Sequence, residues 1–219
     1  MLCDFQPASI YQRMNPTSFV LVLLLASAAF KTTAQEATAQ SVIVDLSGVD
    51  VEPNSELLVV SSGSMEPTLL CRSFVLSVPI TSASTYLRRG AVVSFDVTSS
   101  YPDGPYTQTP GKPKFTFFMR IVGLPNDKVE LRRGELRING VSVAEPYASI
   151  VGPSIVVRQT LPAMVVPADS VFVLGDSREN SNDSRFSGPV PITFIRGVVK
   201  FVSENPPGSG RVDKWHSVK

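Results

Sequence analysis

The sequence predicts an all-β domain behind a short apolar leader. Short β-branched and aromatic runs recur along the chain, turn residues separate them, and past residue 40 no segment repeats its apolar residues at helical spacing. Composition agrees with a packed core. Of 219 residues, 43% are hydrophobic and 18% charged, too apolar and too weakly charged for a disordered chain. With 20 Lys and Arg against 19 Asp and Glu the net charge is +1, which gives no electrostatic basis for nucleic acid as a partner.

The leader is FVLVLLLASAAF, residues 19–30, with Arg13 before it and Lys31 after it. Its twelve residues would span roughly 18 Å at helical rise, against about 30 Å of hydrocarbon. Small residues follow, and both Thr32-Thr33-Ala34 and Ala37-Thr38-Ala39 suit a small-x-small cleavage site. Residues 1–39 are thus expected to form a cytoplasmic N-terminus plus an apolar signal or anchor segment, with signal peptide and short anchor both open. In either case residues from about 40 onward are expected to face the outside of the membrane. A retained leader implies a single-pass protein of the plasma membrane and a cleaved one an exported, membrane-associated protein, with membrane lipid the expected partner either way.

The expected strands follow in order: LLVVS from 57, FVLSV from 74, AVVSFDV from 91, KFTFFMRIV from 114, SIVVRQ from 154, SVFVLG from 170 and GVVKFV from 197. VELRRGELRING, 129–140, reads as a hairpin turning near Arg133-Gly134. Residues 40–132 and 170–203 form the expected core, 133–169 a small β insertion, and 204–219 a flexible tail. The Tyr- and Pro-rich stretch 99–114 has turn chemistry throughout and is expected to project from the body. Cys3 and Cys71 are the only cysteines. They support neither a disulfide framework nor a metal site, and nothing in the sequence calls for a cofactor.

Chemistry concentrates in two polar stretches. The first is SSGSMEPTLL, 61–70, where a serine would need a neighbour able to take its proton. The one histidine, His216, lies near the end of a polar tail, so a Ser-His-Asp arrangement is disfavoured. What remains is a lysine made neutral by burial. The second stretch, GDSRENSNDSRFSG at 175–188, packs Asp176, Asp183, Arg178, Arg185 and three serines into one loop. Such a loop can brace itself by Asp-Arg pairs while aiming a hydroxyl such as Ser181 at a catalytic group.

Four blocks in this order, SSGSMEPTL at 61, RRGAVVSF at 88, RIVGLPNDKV at 120 and GDSRENSNDSRFSG at 175, resemble the type I signal peptidases, membrane-bound Ser-Lys serine endopeptidases that remove signal peptides from exported preproteins. The resemblance spans about 130 residues and implies a fold of two antiparallel β-sheet regions, the smaller inserted between the third and fourth blocks. By resemblance Ser64 is the nucleophile, Ser62 assists the oxyanion, and Ser181 orients the general base. Asp176, Arg178, Asp183, Arg185 and Arg120 match supporting positions. The family implies Ala-x-Ala signal peptides as substrates, held in shallow pockets near Leu57, Val59, Met65 and Phe117.

The family's base is a lysine immediately before the arginine of the third block, and Met119 stands there in this chain. A thioether is only a weak acceptor and cannot deprotonate a hydroxyl. Strand alternation puts Phe115, Phe117, Met119 and Ile121 on one face and Lys114 on the other. Lys112 also has the wrong parity and sits further away in the loop, Lys128 falls in the turn after the strand and Lys200 in the last strand, so a surrogate lysine from 112 or 114 would need a bulge or a long excursion. A catalytically impaired relative that binds extended peptides, or assists envelope assembly, is the alternative to a working enzyme. Two smaller departures are Ala91, where an acid is usual, and Asn126, where glycine is usual and which tolerates a left-handed turn.

Overall fold

A computed structural model describes residues 20–26, 39–80, 87–98, 104–112, 114–149, 160–203 and 211–218. In chain order the elements are β1 (Val20–Ala26), β2 (Ala39–Asp45), β3 (Glu56–Val59), a 3₁₀ turn at Gly63–Met65, β4 (Phe74–Pro79), β5 (Val92–Val97) and β6 (Phe115–Gly123). A small sheet follows, β7 (Lys128–Arg132), β8 (Glu135–Ile138), β9 (Val141–Ser142) and β10 (Leu161–Val165). The chain then forms β11 (Ser170–Leu174), the one-turn helix α1 (Ser184–Ser187), β12 (Val190–Pro191), a 3₁₀ turn at Ile192–Phe194, β13 (Ile195–Ser203), β14 (Arg211–Val212) and β15 (Trp215–Ser217). The protein is all-β, with two antiparallel sheets and a third that contains the parallel pair β2–β14.

The chain divides into two compact units. The first comprises residues 1–63, 69–79 and 199–218. In it β3 pairs antiparallel with β4, residues 201–203 of β13 pair with β15, and β2 lies between β1 and the parallel β14. Its core gathers Val44, Leu46, Leu57, Phe74, Leu76 and Val212, with Val59 and Trp215 packed against them. These are the inward residues of alternating strands, and their burial is the main force holding the unit together.

The second unit comprises residues 64–68 and 80–198. Its main sheet runs β12-β11-β6-β5 and continues to the start of β13, while the small sheet runs β10-β7-β8-β9. Strand β6 has apolar residues on both faces. Phe117, Met119 and Ile121 pack with Val93, Phe95 and Val173, whereas Val122 turns to the cluster of Val129, Leu131, Leu136 and Phe172 beneath the small sheet. This double burial explains why FTFFMRIV reads as a nearly continuous apolar run. Two residues in the left-handed region, Arg133 (φ 50°) and Gly134 (φ 89°), turn the β7–β8 hairpin at the expected place, with Arg132 opposite Glu135.

Several expectations are corrected. Val20–Ala26, read as a short helical leader, is a strand paired residue for residue with β2; a run of Val and Leu suits either state, and a partner strand supplies its backbone bonds. No helix among the described residues is long and apolar enough to cross a membrane. The tail after residue 203 is not simply frayed, because β14 and β15 are paired and Trp215 Nε1 donates to Asp45 O at 2.9 Å. The small sheet starts at Lys128, not at residue 133. In the loop expected to project, Tyr106 is only 5% exposed, stands edge-on to Phe95 with centroids 5.3 Å apart, and donates its hydroxyl to Asn182 O at 3.3 Å. Cys71 is disulfide-bonded, so packing is not the sole stabilising force there; Cys3 lies outside the described residues, as does the strand expected from residue 154.

Candidate active site

Ser64 sits in the Gly63–Met65 turn and is 7% exposed. Met65, the next residue, is fully buried. The carbonyl of Ser64 accepts the Ser177 backbone N–H at 3.0 Å, which joins the first polar stretch to the second. Gly175 makes this approach possible. A Cβ there would lie 2.5 Å from Ser64 O and in collision with the Ser181 hydroxyl, so only the smallest residue lets the three meet.

Ser181, also buried, donates its hydroxyl to Met119 Sδ at 3.6 Å. Met119 reaches this place because β6 pairs with β5 in a register that sets it opposite Val93, on the inward face with Phe117 and Ile121. Position 119 therefore adjoins the serine loop, and its side chain is an apolar thioether that takes the hydroxyl weakly. Lys112, Lys114 and Lys128 are exposed, so none supplies the buried amine that such a base requires. Lys200 belongs to the first unit.

The loop is braced, but mostly from outside itself. Asp183 and Arg185 pair within it, bidentate at 2.8 Å on both oxygens. Asp183 also caps α1 and accepts the Gly175 N–H at 3.0 Å. Arg185 donates to Arg178 O at 2.7 Å. Asp176, expected to pair within the loop, is instead held by Arg120 of β6 through Nε at 2.8 Å and Nη2 at 2.7 Å, and by the hydroxyl of Thr68. Arg120 also donates to Gly90 O at 2.6 Å. Arg178 turns to Glu145, which takes it at 2.9 and 2.6 Å. Local spacing showed which residues carry charge, but not that their partners lie elsewhere in the chain.

Burial fixes the electrostatics. Desolvation pulls the Arg178 guanidinium down, yet the Glu145 carboxylate outweighs it and holds the group above its ordinary value. Burial, and then Glu145, push the Tyr147 phenol well up. Burial, and then Asp183, do the same to Tyr106. Both phenols are thus neutral donors throughout the physiological range, not proton acceptors.

Of the positions expected from sequence, Ser64, Met119, Ser181, Asp176, Arg178, Asp183, Arg185 and Arg120 are joined in this one network. Ser62 is half-buried just before the turn. Phe117 is half-buried and stacks on Phe95 at 5.8 Å, whereas Leu57 and Val59 belong to the core of the first unit. Sequence reasoning missed Thr68, Glu145, Tyr147 and Gly175. Thr68 stood inside the first polar stretch; Glu145 and Tyr147 lie in the insertion, where sequence carried no sign of a site. Left-handed Asn126 (φ 68°) takes the conformation expected of it.

The model of the family "Signal peptidase, peptidase S26" matches residues 38–203. A signal peptidase I of Leptolyngbya laminosa is 36% identical over 154 residues, covering 67% of this chain and 68% of its own length. A signal peptidase I P of Bacillus subtilis subsp. natto is 33% identical over 156 residues, with 67% and 75% covered. A signal peptidase I of Bacillus amyloliquefaciens is 31% identical over 150 residues, with 66% and 73% covered.

Proposed function

As the chain belongs to the peptidase S26 family of signal peptidases, we propose that it is a signal peptidase I-type serine endopeptidase acting on Ala-x-Ala signal peptides, with Ser64 as nucleophile and turnover limited by Met119. The carrying observation is the buried Ser181 hydroxyl on Met119 Sδ at 3.6 Å, beside Gly175 and the Ser64 carbonyl. In the reaction the Ser64 oxygen attacks the carbonyl carbon after a small residue and loses its proton as the C–O bond forms. The tetrahedral intermediate collapses to an acyl-ester as the leaving nitrogen takes a proton, and water then frees the acyl group and regenerates the hydroxyl. Ser62 and the backbone near Ser64 are the donors for the oxyanion. With methionine at 119, solvent must accept the serine proton, and loss of a general base typically costs on the order of 100-fold to 10,000-fold.

The test is cleavage of a preprotein bearing an Ala-x-Ala site. Met119→Lys is expected to raise turnover by about 100-fold to 10,000-fold, with a rate that climbs as pH takes the proton off the new amine. Ser64→Ala is expected to abolish turnover in either background. No gain from Met119→Lys in a folded protein would overturn the assignment of position 119, and turnover surviving Ser64→Ala would overturn that of Ser64. The contact between Ser181 and Met119 also favours a second reading, in which the chain holds extended peptides by strand addition without cleaving them. Saturable binding of a signal peptide with no product, even after long incubation, would select it.

A further inference from the structure

Resting on that reading, we propose that the segment leaving β9, residues 145–149, is a strap that positions the site, with Glu145 and Tyr147 as its positioning residues. The stretch 175–178 has two sides. On one it receives Ser64, through the Ser177 N–H to Ser64 O bond at 3.0 Å and the gap left by Gly175. On the other it is gripped by the strap.

The grip has three parts. Backbone bonds run from Ser149 N–H to Asp176 O at 2.7 Å and from Arg178 N–H to Ser149 O at 3.2 Å, forming a parallel bridge between Ser149 and Ser177. Glu145 holds Arg178 by two bonds, and the same guanidinium donates through Nε to Gly175 O at 3.0 Å. Arg178 is 2% exposed and Glu145 8%, so the pair acts where solvent screening is weak. Tyr147 lays its ring 4.0 Å from the Arg120 guanidinium, which in turn carries Asp176. Its hydroxyl bonds Glu145 Oε1 at 3.1 Å, closing the set. A turn from Ala148 N–H to Glu145 O at 3.0 Å keeps these residues together.

One carboxylate therefore orients one guanidinium, which fixes the carbonyl of the glycine lying between Ser64 and Ser181. The small sheet has a task in the site without supplying a reacting group. Its displacement would loosen the Ser177–Ser64 bond before it disturbed the β5–β6 ladder.

Amide hydrogen exchange on the full chain tests this independently of cleavage. Glu145→Gln and Tyr147→Leu are expected to speed exchange at Ser177 and Arg178 by roughly tenfold to a hundredfold, as loss of one charge-assisted bond implies. Ile121 N–H, bonded to Ala91 O at 2.9 Å in the neighbouring ladder, should keep its wild-type rate. Equal acceleration at Ile121 would reduce the segment to a general stabiliser, and an unchanged Ser177 would remove the strap; either result overturns the proposal. A second arm adds Glu145→Gln to the Met119→Lys background, where kcat should fall at nearly constant KM. A raised KM at constant kcat counts against positioning. If Met119→Lys alone yields no cleavage, the functional reading fails while the exchange result still decides the strap.

Discussion

At the scale of single residues, Gly175 is the tightest position in the site. Its φ is ordinary, so the constraint is space: any added carbon meets Ser64 O and Ser181 at once. Gly175→Ala should destabilise the fold by about 1–3 kcal/mol, the range for overpacking, and should push Ser181 off position 119. Thermal melting checks the first effect; the second appears as a further loss of cleavage in the Met119→Lys background. Much at this scale was legible in the sequence. The parity of KFTFFMRIV set Met119 on the inward face, and the two serine stretches announced themselves by composition. The pairing of charges was not legible, since Asp176 finds Arg120 and Arg178 finds Glu145 across long separations, and no local spacing rule reports which acid a buried arginine meets.

At the scale of elements, the turn from β6 into β7 shows how one carboxylate can organise a junction. Asp127 accepts from Leu124 N–H at 2.7 Å, Arg89 at 2.6 Å and Asn139 Nδ2 at 2.9 Å. Burial alone would raise its pKa, but these donors outweigh it and hold the carboxyl below its ordinary value. A folded pKa below the unfolded one means that the contribution is complete above that value and is lost as pH falls through the folded pKa. Asp127→Asn should therefore lower the melting temperature at neutral pH and make progressively less difference in acid below about pH 4. A gap between the two proteins that persists unchanged at low pH would contradict this role. The β7–β8 hairpin was readable because Arg-Gly between alternating apolar residues is turn chemistry. The stretch around Tyr106 misled because Pro and Gly mark turns without saying where they pack. An aromatic that reaches the core from a loop carries no periodic signature.

At the scale of the whole molecule, the all-β class and the family follow from the strand pattern and the ordered blocks, and both stand. The leader does not yield as easily, since Val20–Ala26 pairs as a strand where an apolar run was read as signal or anchor. Whether residues 1–39 stay on the body as an anchor or are removed as a signal peptide is decided by experiment. An intact-mass measurement on the protein from carbonate-washed membranes distinguishes the two: residues 1–39 present selects the anchor, and a product shortened after residue 34 or 39 selects the signal peptide. The bond between the Ser64 carbonyl and the Ser177 amide has a last consequence, for it joins residues far apart in the chain. The turn that carries Ser64 is therefore seated only after the ribosome has passed residue 177.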